Sequence, residues 1–211
     1  MGYALFFPIL LMSIVIHEVA HAWQARREGD FTADQLGRIT LNPIPHLDPI
    51  GSVILPLILV VTQAPFFFGW AKPVPVDPAN FRNYRAGDIR VSMAGIVSNL
   101  LLAVLFTGIG AATGALGASP TSVLMQVCLM AVGVNLVLAF FNLIPIPPLD
   151  GSHVLQQLLP PRLAEAYRRI GHWGFLIILA LVFVFRDALF VLLTPVFVLR
   201  DAAASFMFLW I

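Results

Sequence analysis

The feature that most constrains this chain is a charged cluster set into an apolar helix. Residues Tyr3 to Ile16 form an apolar run that ends in His17-Glu18-Val19-Ala20-His21. On a helix, His17 and His21 share one face, a turn apart. Two imidazoles at that spacing can hold one zinc ion, and Glu18 sits where it can take a proton from water on the metal. Ionisable groups at membrane depth are costly and mark functional sites by default. The plainer alternative is a helix whose two polar residues simply pack against its neighbours.

Composition explains why such a run occurs. Apolar residues make up 59% of the chain and charged ones 11%, with a mean hydropathy of +0.90. Soluble domains carry about twice that charge. The chain therefore reads as an integral membrane protein of one domain, with a catalytic core over about 1–160 and a helical extension over about 161–211. A net charge of +1 with no basic block excludes nucleic acid as a partner. The lone Cys128 rules out a disulfide framework and a cysteine metal cluster. The first 16 residues lack a basic leader and a cleavage site, so they read as a retained helix.

Along the chain, the first helix is expected from about Tyr3 to Arg27, with Arg26 and Arg27 marking its end as cytoplasmic. Residues 29–50 are polar, and Arg38-Ile39-Thr40-Leu41 alternates like a short strand. Residues 51–68 are apolar but broken by Pro56 and Pro65, and Lys72, Arg82, Arg85 and Arg90 follow. A single crossing there would put those cations opposite Arg26 and Arg27, so the stretch reads as re-entrant. A helix follows from about Asp88 to Leu116, then a turn at Ser119-Pro120 and a span over 121–143. Asn99 on the first of these is either interhelical glue or a hydrogen-bond donor at the site. Ser152 to Arg169 reads as an interfacial helix, and 171–211 as two short spans meeting near Arg186-Asp187. The fold class is thus an all-α polytopic membrane protein: about five transmembrane helices, a re-entrant segment and short membrane-associated β-strands.

A catalytic zinc takes three protein ligands and keeps a fourth position for water. His46, Asp48, Asp150 and His153 are the candidates on the correct side for the third. Asp150 is preferred, because Pro145, Pro147 and Pro148 stiffen the backbone before it and Gly151 permits a sharp turn after it. Its competing role is to cap the helix that follows.

Three motifs now stand together: His17-Glu18-x-x-His21, Gly95-x-x-x-Asn99, and Asn142-x-x-Pro145-x-Pro147-x-Leu149-Asp150-Gly151. They resemble the signature motifs of the site-2 protease family of intramembrane metalloproteases. Gly29-Asp30-x-Thr32-Ala33, Gly37–Pro43 and Gly69–Val76 resemble its compact prokaryotic members, without PDZ or CBS domains. The likeness covers about residues 13–155; Asp77 and Ser152 depart from the commoner Asn and Gly. The resemblance implies zinc held by His17, His21 and Asp150, Glu18 as general base, and Asn99 and Asn142 near the substrate or oxyanion. It implies endopeptidase cleavage in or near a transmembrane helix of a membrane-protein substrate that can unwind. The setting it implies is a prokaryotic inner membrane, with the site nearer the cytoplasm.

The two extended segments around Arg38–Asn42 and Lys72–Val76 offer an edge on which an unwound peptide could add as a strand. A homo-oligomer is left open. The alternative function is a divalent-cation transporter, but His46, His153 and His172 fall in or beside loops rather than along a path. A diiron oxidase would need more histidines than five.

Overall fold

The computed structural model describes residues 2–62 and 71–209, and most of them are helical. Helix α1 runs Gly2–Glu28, and a short α2 (Thr32–Gln35) follows it. A π-helical stretch, Pro49–Ile54, leads into α3 (Leu55–Val61). Then come α4 (Tyr84–Ala115), α5 (Val123–Asn142), α6 (Asp150–Leu158) and α7 (Pro161–Ile170). Helices α8 (Gly174–Phe183), α9 (Arg186–Leu192) and α10 (Thr194–Met207) complete the order.

Local chemistry sets these bounds. At the start of α4 the Asn83 side chain accepts from the Ala86 N–H at 3.0 Å, and at α5 Ser122 does the same for Met125 at 3.4 Å. Arg26 and Arg27 in the last turn of α1 suit the negative end of its dipole. The Arg27 guanidinium lies 3.6 Å from the Trp23 ring centroid, an aromatic–cation pair suited to a membrane boundary. Among the described residues, four helical segments are long and apolar enough to cross a bilayer: Leu5–Glu28, Tyr84–Ala115, Val123–Asn142 and Pro161–Phe183. The α9–α10 pair, bent by 49°, makes a fifth if counted as one broken span. This is an integral membrane protein.

Helix α4 is the hub, packing on α1, α5, α6 and α10. Small residues make that possible. Its buried face carries Ser92, Gly95, Ala103, Gly110, Ala111 and Gly114, while Val97, Leu101, Val104 and Leu105 stand exposed. Without a hydrophobic driving force between helices in lipid, such close backbone approach is what dispersion packing requires. A core of Ala103, Met125, Cys128, Val132, Leu136, Val196 and Met207 joins α4, α5 and α10.

Two expectations need correction. No β-strand occurs among the described residues; Arg38–Leu41 and Ala71–Asp77 are irregular or extended chain. Pro73 and Pro75 remove alternate donors, and the remaining N–H groups go to side chains and loops instead of a ladder. The interfacial helix expected over Ser152–Arg169 is two helices, because Pro160 and Pro161 stop α6 and restart the chain as α7. The expected re-entrant stretch is described only as far as residue 62; the rest lies outside the described residues, as does Gly69-Trp70.

The C-terminal helices are tied to the proline bend before Asp150 by Gly174, where an added Cβ would collide with the Pro147 carbonyl oxygen. Replacing Gly174 with Ala should therefore destabilise the protein by about 1–3 kcal/mol. The control is Gly108→Ala in α4, whose Cβ would meet nothing within 4 Å. That change should be neutral or stabilising by up to about 1 kcal/mol, from helix propensity alone. Thermal unfolding in detergent measures both.

Candidate metal centre

Helix α1 presents His17 and His21 to α4, and both are nearly buried. Their rings meet edge to face, with centroids 4.5 Å apart. Each Nδ1 has an acceptor. His17 Nδ1 donates to Asn99 Oδ1 at 2.6 Å, and His21 Nδ1 donates to the Val91 carbonyl at 2.7 Å. A carbonyl can only accept, so the proton of neutral His21 must lie on Nδ1, and the same assignment suits His17. Both Nε2 atoms are then bare lone pairs, and they lie 3.0 Å apart.

Asp150 closes the group. It is the first residue of α6, and the cap position is Leu149, so capping is not its role. Its Oδ2 lies 3.2 Å from His17 Nε2 and 3.3 Å from His21 Nε2. That oxygen is buried and has no hydrogen-bond partner. Three electron-rich atoms, all within 4.8 Å of one another, face one space with no donor to mediate between them. Such a set repels itself unless a cation sits among it. Two imidazoles and a carboxylate are also the donor types that zinc favours.

The hub helix is shaped for this arrangement. A Cβ on Gly95 would lie 2.5 Å from both His17 Cε1 and His21 Nε2, so only glycine lets α4 pass behind the rings. A Cβ on Gly151 would strike the Leu143 carbonyl oxygen, so only glycine lets α6 start where it does. From α4, the buried Asp88 accepts from Gln157 at 2.6 Å and lies 3.5 Å from His153 Nδ1. That pairing fastens α6 to α4 and with it the approach of Asp150. It also raises the pKa of His153, chiefly through the hydrogen bond to Asp88.

Behind the rings runs a line of side chains that the sequence reading missed in part. Asn99 has zero exposure; its Nδ2 donates to Asn135 Oδ1 at 2.9 Å. Asn135 Nδ2 in turn donates to Ser13 Oγ at 3.0 Å and to the Ala131 carbonyl at 2.9 Å. Asn99 is thus consumed in holding His17 and has no donor left for a substrate. Asn142 is different: half-buried, it donates among the described residues only to its own helix, to the Leu138 carbonyl at 2.9 Å.

Glu18 points into the extended strap Ala71–Asp77. The Val74 N–H donates to Glu18 Oε2 at 2.8 Å. The strap is anchored along its length. Lys72 N–H donates to the His46 carbonyl at 2.9 Å, Arg38 Nη2 donates to the Lys72 carbonyl at 2.8 Å, and Asp77 N–H donates to Asp30 Oδ2 at 2.8 Å. Asp30 is buried but takes four donors, from Thr32, Asp77 and Asn80, which outweigh its desolvation and hold its pKa below the ordinary carboxylate value. These bonds spend the N–H groups of Lys72, Val74 and Asp77 inside the chain.

The other candidate ligands lie elsewhere. Fully buried His46 donates from Nε2 to the Thr40 carbonyl at 3.0 Å, and Asp48 accepts from the N–H groups of Ile50 and Gly51 at 2.9 and 2.7 Å. No second group of three metal-binding side chains occurs among the described residues.

Membrane-length helices around an HExxH helix define the class, an integral-membrane metalloprotease. The profile of Peptidase family M50 matches residues 109–185. YwhC of Bacillus subtilis, whose name describes a zinc metalloprotease, is 41% identical over 176 residues, covering 82% of this chain and 77% of that one. Rip2 of Mycolicibacterium smegmatis, similarly named, is 34% identical over 172 residues, with 81% of this chain and 63% of Rip2 covered. The chain belongs to peptidase family M50, the site-2 proteases, and is a zinc metalloprotease. No solved structure matches it.

The geometry sets a test. Gly95→Ala should strip zinc from the purified protein, since the added carbon occupies the space of the rings. Asn99→Ala should weaken zinc affinity by about 10–100-fold while leaving all three ligand types in place. Metal analysis after competition with a chelator separates the two.

Proposed function

We propose that this chain is an intramembrane endopeptidase that cuts membrane-protein substrates in or near their transmembrane helices. The observation that carries the reading is the convergence of His17 Nε2, His21 Nε2 and Asp150 Oδ2 with no donor among them. These three side chains would hold the zinc. When bound, the ion supplies Lewis acidity and acidifies water to a pKa near 7.

The chain's own groups do the rest. Glu18 Oε2 is fixed by the Val74 N–H, which leaves Oε1 to take a proton from the attacking water and return it to the leaving nitrogen. Asn99 is a positioning residue: by accepting from His17 Nδ1 it fixes the tautomer that keeps Nε2 bare. Asn142 is the candidate donor to the developing oxyanion, because its only bond among the described residues is to its own helix and can be exchanged. His17 lies 11 residues before Glu28, roughly 16 Å along the helix, which supports a site inside the membrane but toward the end bearing Arg26 and Arg27. On that reading the site faces the cytoplasmic side of a prokaryotic inner membrane. A substrate helix hides its carbonyls in its own hydrogen bonds, so it must unwind there before attack.

Glu18→Gln should abolish cleavage of a generic transmembrane substrate and leave zinc content unchanged, whereas Asp150→Ala should lose both. Retained cleavage in Glu18→Gln would overturn the assignment. Val74→Pro removes the N–H that steadies Glu18; it should lower kcat by about 10-fold or more with zinc retained, while Val74→Ala, which keeps the N–H, should stay near wild type.

A further inference from the structure

Helix α10 carries two adjacent charges, Arg200 and Asp201, level with the middle of α5. Helix α5 has 20 residues, about 30 Å, which matches the hydrocarbon core. Gly133 lies at its midpoint, roughly 15 Å from either end. Arg200 crosses α5 at this level. Its Cδ and Nε lie 3.7 and 3.9 Å from where a Cβ on Gly133 would be. The stem therefore runs across the middle of α5 instead of climbing toward a headgroup. Met207 against Gly110 fixes the other end of α10 higher on the hub helix, so the depth of Arg200 is set at two points.

Arg200 and its neighbour Asp201 are both exposed, and neither has an ion pair or hydrogen bond among the described residues. They cannot satisfy each other, because successive residues point about 100° apart around a helix. Around them the same helix exposes Phe197, Val198 and Leu199. Opposite charges exposed to lipid at the midplane are expensive, and such residues face protein partners in membrane proteins.

We propose that this face joins a second copy of the chain, with Arg200 of each copy paired to Asp201 of the other. Two copies in one membrane share an orientation, so a two-fold axis between them must lie along the membrane normal. That axis brings together residues of equal depth. Arg200 and Asp201 differ by one residue, about 1.5 Å in depth, and have opposite signs. The surface is therefore complementary to itself, as a two-fold interface demands. An unrelated partner would need its own acid and base at the same level. The two active sites would then sit in one assembly, with α10 between them. The proposal does not depend on the peptidase reading.

The test uses two differently tagged full-length copies co-expressed in one membrane and extracted in mild detergent. Wild-type copies should co-purify. Arg200→Asp copies should fail to capture each other, with retention down at least 10-fold, and so should Asp201→Arg copies. An Arg200→Asp copy should capture an Asp201→Arg copy, because that mixed pair restores both attractions. Zinc content reports folding of each variant. Arg200→Asp copies that associate like wild type, or a mixed pair that fails to recover, would overturn the proposal. So would wild-type copies that stay single in phosphatidylethanolamine–phosphatidylglycerol vesicles, which would assign the two charges to a substrate helix or to lipid.

Discussion

Two imidazole lone pairs and a carboxylate oxygen are held 3.0–3.3 Å apart inside a membrane protein, and no other side chain among the described residues donates to them. Like groups at that distance in a low-dielectric medium repel strongly. Much of the surrounding structure can be read as what holds them there. Gly95 lets the hub helix run directly behind the rings, Val91 and Asn99 turn the rings outward, and Gly151 lets α6 start at the right place. Asp88 then fastens α6 to α4 through Gln157 and His153. Each contact is modest alone, but together they hold an arrangement that a metal-free protein would not keep by itself.

Much of this was legible in the residues. The HExxH spacing, the apolar run lengths and the proline bend each have a direct physical reading, and helices α1, α4 and α5 lie within a few residues of where those readings put them. What could not be read depended on crossing geometry. Asn135 is a polar residue in an apolar span, but nothing in the sequence says that it meets Asn99 and Ser13. Gly95 was visible in a motif, yet its role as the gap behind two rings exists only once α4 crosses α1. The Val74–Glu18 bond joins residues 56 apart through a main-chain atom, which no side-chain pattern reports.

Two misreadings had signals that were given too little weight. Alternation in Arg38–Leu41 suggested a strand, but the prolines at 73 and 75 had already removed the donors a partner strand needs. The single helix drawn from Ser152 to Arg169 ran through Pro160 and Pro161, which end a helix whatever the polarity around them. In both cases a hydropathy pattern was followed where backbone chemistry should have decided.

The line His17, Asn99, Asn135, Ser13 is made of fixed donors and acceptors, each amide giving its hydrogens away from the metal centre. Carboxamides do not hand protons along as carboxylates or imidazoles do, because passing one on requires an unstable tautomer. The two amides therefore steady a ligand without relaying its proton. The interior behind the metal centre can thus be polar without acting as a proton wire.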